Sequence, residues 1–423
     1  PHITNEIKQR ILAVANDPEV DMTIVEIGGT VGDIESVPFL EACRQLIHEF
    51  GKQNAISIHV TLVPSVSGGE IKTKPTQHAV KELQEVGIQP DALVLRSTKP
   101  LSDDLRRKIS LFTNVEEDGV ISAYDAATIY EIPLIFYNQK LDTFLLRKMN
   151  IESRHAELDK WESVVHAVTK PNRKVKIAVV GKYMELHDSY KSIWEALCHG
   201  GIAHHAGLEI EKVDSSRLED PKADLDSVFR DIHGILVPGG FGERGIEGMI
   251  RAAHYAREHD IPYLGICLGM QIMVIEYARS VLGWQDAHST EFNKSTPHPV
   301  VCLLEEQTKI KNYGGTMRLG AYDAITKVNS NIRAAYKTEQ ISERHRHRYE
   351  VNNDMRAELE AHHLVVSATT PNGELVEACE WPNHRWSVGV QFHPEFKSRP
   401  TSPHPLFREF IRAALNHADH AGA

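Results

Sequence analysis

Apolar and polar positions alternate on two different periods along this chain, and the switches between them mark out a succession of strands and helices. In the first part, the short apolar runs 22–27, 55–63, 91–95, 120–123 and 133–137 read as strands, while 37–50, 77–86, 103–112 and 157–168 carry helical spacing. The chain opens on an amphipathic helix, with Ile3, Ile7, Ile11 and Leu12 on one face and Thr4 or Asn5 as its cap. A polar, proline-bearing stretch at 169–174 reads as a linker. Beyond it come strands at 175–180, 208–213, from 234, at 261–266 and at 386–392, with helices at 189–204 and from 268. Residues 416–423 form a small, polar tail without periodicity, expected to be disordered from His417 on. Such alternation predicts two doubly wound, mostly parallel α/β domains, at 1–168 and 175–415, with ligands at the carboxyl ends of the strands.

A chain of 423 residues can bury two full cores. Its formal charge of −11 argues against nonspecific nucleic-acid binding, so phosphate would have to be met by local basic clusters. The five cysteines have neither paired nor metal-ligand spacing, which suits free thiols in a reducing cytoplasm. No apolar run has membrane-spanning length and no signal-peptide pattern opens the chain. Most of the 24 histidines stand in polar surroundings, and the run Arg344-His345-Arg346-His347-Arg348 reads as solvated surface, its cations unsuited to a metal.

The chemistry concentrates at Gly265-Ile266-Cys267-Leu268-Gly269-Met270-Gln271, between a buried strand and a helix. Glycines two residues to either side of a nucleophile permit the sharp turn of a nucleophile elbow, where unpaired helix amides favour a thiolate. Taken alone, the pattern fits a buried structural cysteine as well. Two other stretches decide between them. Gly234 to Gly242 is a strand entering a glycine loop, able to present amides to an oxyanion. The strand 386–392 ends at His393-Pro394-Glu395, an imidazole with a carboxylate to orient it. In this order the three resemble the class I glutamine amidotransferases. The resemblance implies Cys267 as nucleophile, His393 as general base and acid, Glu395 as its orienter, and the amides of Gly240 and Leu268 as oxyanion donors. It further implies glutamine contacts from Gly269, Met270 and Gln271, a carboxylate for the substrate ammonium at Glu291, and a cation for its carboxylate at Arg348.

In the first domain, Glu26 ends an apolar run before Gly28 and Gly29, a position suited to Mg²⁺. The stretch Gly68 to Gln77 offers lysines, threonines and a helix start with an early proline, an anion site by its chemistry. Arg106-Arg107-Lys108 alone would be a solvated face. Together, IVEIGGTVGDIES, GGEIKTKPTQHAVKEL, KISLFTNV and PHITNEIK resemble the CTP synthase family. That resemblance implies ATP-dependent amination of UTP to CTP with ammonia from glutamine. It assigns Glu26 to Mg²⁺, and Asp33, Ile34 and Glu35 to the pyrimidine nucleotide. Lys72, Thr73, Lys74, Pro75, Thr76, Gln77 and Lys108 fall to UTP and CTP, and Tyr124, Asp125 and Ala126 to ATP. It also implies GTP as allosteric activator, answered by the loop Asn312 to Gly320 with Arg318, CTP as feedback inhibitor, and a homotetramer. No GxxxxGK[ST] loop is present, so the expected fold is a P-loop-type synthase domain lacking an amino-terminal segment of about a hundred residues. A glutaminase without synthesis, or a non-catalytic regulatory subunit, is the alternative expectation.

Overall fold

In the computed structural model the chain is described over residues 1–66, 69–182, 184, 187–303 and 317–421. It forms two compact units, Pro1–Val165 and His166–Ala423. Among the described residues no helix is long and apolar enough to cross a membrane.

The first unit is built on three parallel strands in the order β1 (Ile58–Leu62), β2 (Ala92–Ser97), β3 (Val120–Tyr124). Helices Lys74–Glu85 and Asp103–Thr113 cover one face, burying Val80 and Ile109 against Leu93, Leu95 and Val120. On the other face Leu141 and Phe144, from Leu141–Lys148, pack on Val94, Ile121 and Ala123. Burial on both faces explains why β2 reads as a nearly unbroken apolar run.

Two expectations fail here and a third holds in part. Residues 22–27 pair with nothing, and Ile24 is 89% exposed: a β-prone run is no strand without a neighbour to hydrogen-bond. The run 133–137 lies in a helix, Ile132–Asn138, with Pro133 in the first turn where its missing N–H costs nothing. The opening helix forms at His2–Ala15, but Ile3 is 67% exposed and Thr4 is the buried residue.

The second unit carries β4 (Arg173–Gly181), β5 (Ala206–Asp214), β6 (Gly234–Val237), β7 (Tyr263–Ile266), β8 (His288–Ser289), β9 (Pro299–Leu303), β10 (Arg318–Thr326), β11 (Gln340–His347), β12 (Tyr349–Val351), β13 (Val365–Thr369), β14 (Val376–Glu380) and β15 (Ser387–Val390). Nine of these form one sheet, ordered β11-β10-β13-β14-β15-β7-β6-β4-β5, and β12-β9-β8 form a small second one. The strands from β15 to β5 are parallel, as the alternation predicts. From β15 out to β11 they are antiparallel, an extension that the βα pattern does not announce. One face is packed by Ile246–Glu258 and Leu268–Ser280, the other by Lys191–Ala203 and Pro405–Ala421.

The expected disordered tail is instead the end of that last helix, which runs through Ala421. Its anchor is apolar, since Leu406, Phe407, Phe410 and Ile411 are fully buried, and Arg173 pairs with Asp419 near its end. Gly422 and Ala423 lie outside the described residues. The expected linker shrinks to 170–172, because helix Asp159–Thr169 precedes it and β4 begins at Arg173. The histidine-rich run is also not solvated surface. It is β11, with Arg344 and Arg346 outward while His345 and His347, at 0% and 2% exposure, face inward. A strand alternates its faces every second residue, so Arg-His-Arg-His is a buried row of histidines beside an exposed row of arginines.

Candidate active site

The nucleophile elbow is formed. β7 ends at Ile266, helix Leu268–Ser280 begins at Leu268, and Cys267 between them sits at φ +52°, ψ −100°. This is unfavourable for a side-chain-bearing residue, and it is held by the structure on both sides. The Cys267 N–H donates to Val390 O of β15 at 2.7 Å, and its carbonyl accepts from Met270 N at 3.1 Å. The flanking glycines are demanded by close packing. A Cβ on Gly269 would lie 2.0 Å from Val237 O, and one on Gly265 would lie 2.5 Å from Gly269 O. Cys267 is 4% exposed, and Gln391 Nε2 approaches its sulfur at 3.6 Å.

Just past the end of β15 stands His393. Its Nδ1 bonds Glu395 Oε1 at 2.8 Å, both groups being largely buried. Burial alone would push the imidazole down, but the Cys267 sulfur and the Glu395 carboxylate outweigh it and push it up to about 10. The sulfur and the carboxylate thus hold the imidazole toward its protonated form. Gly239, after β6, completes the enclosure, as a Cβ there would meet His393 Cε1 at 2.9 Å and Cys267 Cβ at 3.5 Å. Gly240 follows, near Leu268 and Lys182.

Lys182 was not singled out by the sequence reasoning, although its place at the end of an apolar strand was a signal. It is 1% exposed, and its ammonium donates to the carbonyls of Phe241 and Gly242, clamping the glycine loop. Burial lowers its pKa to about 8, against the pull of Glu291. Glu291 accepts from Gly242 N at 3.4 Å. Burial raises its carboxyl, opposed by that N–H and by the charges of Lys182 and Arg348, so Arg348 is electrostatically part of the same site. Of the other expected glutamine contacts, Met270 and Gln271 have their side chains in the core and their amides turned to Cys267 O. Gln271 Nε2 donates to Tyr349 O at 3.0 Å and to Gln391 Oε1 at 3.3 Å, bracing the thiol from behind.

In the first unit, Lys72 to Gln77 follow β1 and Tyr124 to Ala126 end β3, at the carboxyl edge of one sheet. Lys72 pairs with Glu70 at 2.6 Å, and Thr73, at the start of helix Lys74–Glu85, makes no side-chain cap bond, its hydroxyl accepting instead from Gln77 Nε2 at 3.3 Å. Thr76 is buried and donates to Leu62 O, a structural duty. Asp125 pairs with Arg96 at 2.9 Å. Asp33 accepts from Thr30 N at 2.8 Å, Ile34 is 88% exposed, and Glu26, Glu35, Lys74 and Lys108 are exposed. Among the described residues no three His, Cys, Asp or Glu side chains converge as a metal site. Gly68 and the loop residues 312–316 lie outside the described residues. Arg318 does not stand as a loop cation, since it is buried in β10 and paired with Glu377 at 2.6 Å.

A strained thiol against an imidazolium–carboxylate pair, at the carboxyl ends of parallel strands, is the equipment of an amide-cleaving cysteine enzyme. Residues 185–413 match the class-I glutamine amidotransferase family, which fixes the class of the second unit, and residues 1–151 match the CTP synthase N-terminus family. The CTP synthase of Aquifex aeolicus is 52% identical over 418 residues, covering 99% of this chain and 77% of that protein. That of Carboxydothermus hydrogenoformans is 53% identical over 416 residues, covering 98% and 77%. A solved Trypanosoma brucei CTPS glutaminase domain with bound acivicin is 43% identical with a TM-score of 0.55, covering 57% of this chain and 94% of that one. The chain belongs to the CTP synthase family, and it is a glutamine-hydrolysing ligase.

Proposed function

We propose that the chain converts UTP to CTP with ATP, taking nitrogen from glutamine at Cys267. The observation that carries the glutaminase half is the strained Cys267 facing His393, itself bonded to Glu395 at 2.8 Å. The Cys267 thiolate attacks the carboxamide carbon of glutamine, and the amides of Gly240 and Leu268 receive the negative oxygen. The His393 imidazolium gives its proton to the leaving nitrogen, releasing ammonia and leaving a thioester. Water, deprotonated by His393, then attacks the thioester and frees glutamate. Glu291 and Arg348 hold the substrate ammonium and carboxylate.

In the first unit, Asp33, Ile34, Glu35, Lys72 to Gln77 and Lys108 hold UTP, or CTP as feedback inhibitor, and Tyr124, Asp125 and Ala126 border ATP. A uracil 4-oxygen leaves poorly until it is phosphorylated, so phosphate from ATP precedes displacement by ammonia. Mg²⁺ would supply charge neutralisation on the triphosphate, with Glu26 the carboxylate we assign to hold it. We assign GTP as activator, a homotetramer as the assembly, the cytoplasm as location, a synthase domain over about 1–168 and an amidotransferase domain from 175 that includes the helix to Ala421.

Glutamate release and CTP formation, each assayed with glutamine and with ammonium chloride, test the scheme. Cys267→Ala is expected to lose at least about 10⁴-fold in glutamine-dependent turnover while CTP formation from ammonia persists. Loss of both activities in a folded variant would overturn the separation of the two chemistries.

A further inference from the structure

Behind the glutaminase site lies a buried cluster of charge that the reaction scheme does not use. Arg318 Nη1 lies 2.6 Å from Glu377 Oε1 and 3.6 Å from Glu350 Oε1. His345 Nε2 lies 2.6 Å from Glu377 Oε2, and His347 Nδ1 lies 3.6 Å from Glu350 Oε1. All five side chains are at most 8% exposed. They come from β10, β11 and β14 of the nine-stranded sheet and from β12 of the small second sheet. Arg318 sits directly opposite His347 in the β10–β11 register. Its guanidinium also covers the Tyr322 ring at 4.4 Å, and that ring meets His345 edge-on.

Such a cluster is costly to bury, and it stands where chain direction matters most. β11 ends at His347 and β12 begins at Tyr349, so Arg348 is the single residue at the joint. His347 before the joint and Glu350, the second residue after it, lie 3.6 Å apart, and Glu350 lies as far from Arg318. Between them Tyr349 O accepts from Gln271, which leads through Gln391 to the Cys267 sulfur.

We propose that Arg318 is a positioning residue for glutamine: by joining Glu350 to Glu377 it fixes the β11–β12 joint and so sets the place of Arg348. This rests on the reading of Arg348 as the cation for the substrate carboxylate. Burial, reinforced by Glu377, pushes the Glu350 carboxyl up to about 8 against the pull of Arg318. Burial, His345, Arg318 and His393 hold His347 well below the ordinary imidazole range.

Steady-state glutamate release from the full chain tests this, alongside the rate of Cys267 alkylation by iodoacetamide, a reagent with no carboxylate for Arg348 to hold. Arg318→Met is expected to raise the KM for glutamine about tenfold or more with kcat within about threefold, the signature of lost ground-state binding, and to leave alkylation within about twofold. Arg318→Lys should fall between, keeping the charge without the two-armed reach. If Arg318→Met fails to fold, Arg318→Met/Glu377→Gln leaves no lone buried carboxylate, and the same KM rise is expected of it. An unchanged KM in a folded variant overturns the proposal, as does a collapse of alkylation together with kcat, which would mean that Arg318 supports the thiol pair instead. Arg348→Ala separates the two readings. If it raises KM and Arg318→Met does not, only the positioning role fails; if it leaves KM unchanged, the reading of Arg348 fails and the inference with it.

Discussion

Cys267 and His393 each hold a state that neither would adopt alone. The cysteine takes a backbone conformation that costs of order 1–3 kcal/mol, and the imidazole keeps its proton to about 10 although burial opposes the charge. The sign of the second effect fixes a pH dependence. A base whose folded pKa is raised contributes stability that is fully present below its ordinary value near 6.5, and that is lost as pH rises through about 10. Catalysis follows the same limit, since an unprotonated His393 has no proton for the leaving nitrogen. Glu395→Gln keeps the shape and removes one of the charges that raise His393. We therefore expect it to lower kcat for glutamine by about a hundredfold or more and to move the alkaline limb of the kcat profile to lower pH. An alkaline limb that stays put in Glu395→Gln would show that the sulfur alone sets the His393 proton.

The elbow is the element that converts this local strain into geometry, and it depends on space that only glycine leaves. A Cβ at Gly269 would lie 2.0 Å from Val237 O, so Gly269→Ala must push helix Leu268–Ser280 away from β6. Overpacking of this kind costs about 1–3 kcal/mol, and we expect a loss in that range in urea unfolding together with a larger proportional loss of kcat. Gly240→Ala, whose Cβ would find Leu268 at an ordinary 3.6 Å, should unfold like the parent. Unchanged stability in Gly269→Ala would mean that the elbow relaxes more freely than this packing allows. Much of this element was legible in the sequence, because a four-residue apolar strand, two flanking glycines and an apolar helix each have a local physical cause. Residues 22–27 were misread because strand formation is decided by a neighbour that composition does not name. The run 133–137 was misread because five apolar residues fit either period. The helix to Ala421 was cut short because its last turn is small and polar while its anchors, Phe407 and Phe410, lie earlier. Arg318 and the histidines of β11 were misread for a deeper reason. A residue-by-residue reading treats charge as surface, whereas Arg318 is buried because it pairs with Glu377 and lies beside Glu350, on strands far apart in sequence.

At the scale of the whole molecule, every side chain of the glutaminase machinery, from Lys182 to Glu395, belongs to the unit His166–Ala423. So do both of the large apolar clusters that flank its nine-stranded sheet, and they draw on no residue before Val175. A unit that supplies its own core and its own chemistry has no internal need of the other. We therefore expect a fragment of residues 166–421 to unfold in a single cooperative transition and to release glutamate from glutamine, with Cys267→Ala abolishing that release. The fragment should form no CTP under any nitrogen source, because UTP and ATP are assigned to the other unit. Calorimetry and a coupled glutamate assay on the purified fragment check both halves of the expectation. A folded fragment without glutaminase activity would mean that glutamine hydrolysis waits on a signal from the first unit. An unfolded one would mean that the cores seen on the two faces of the sheet are insufficient alone.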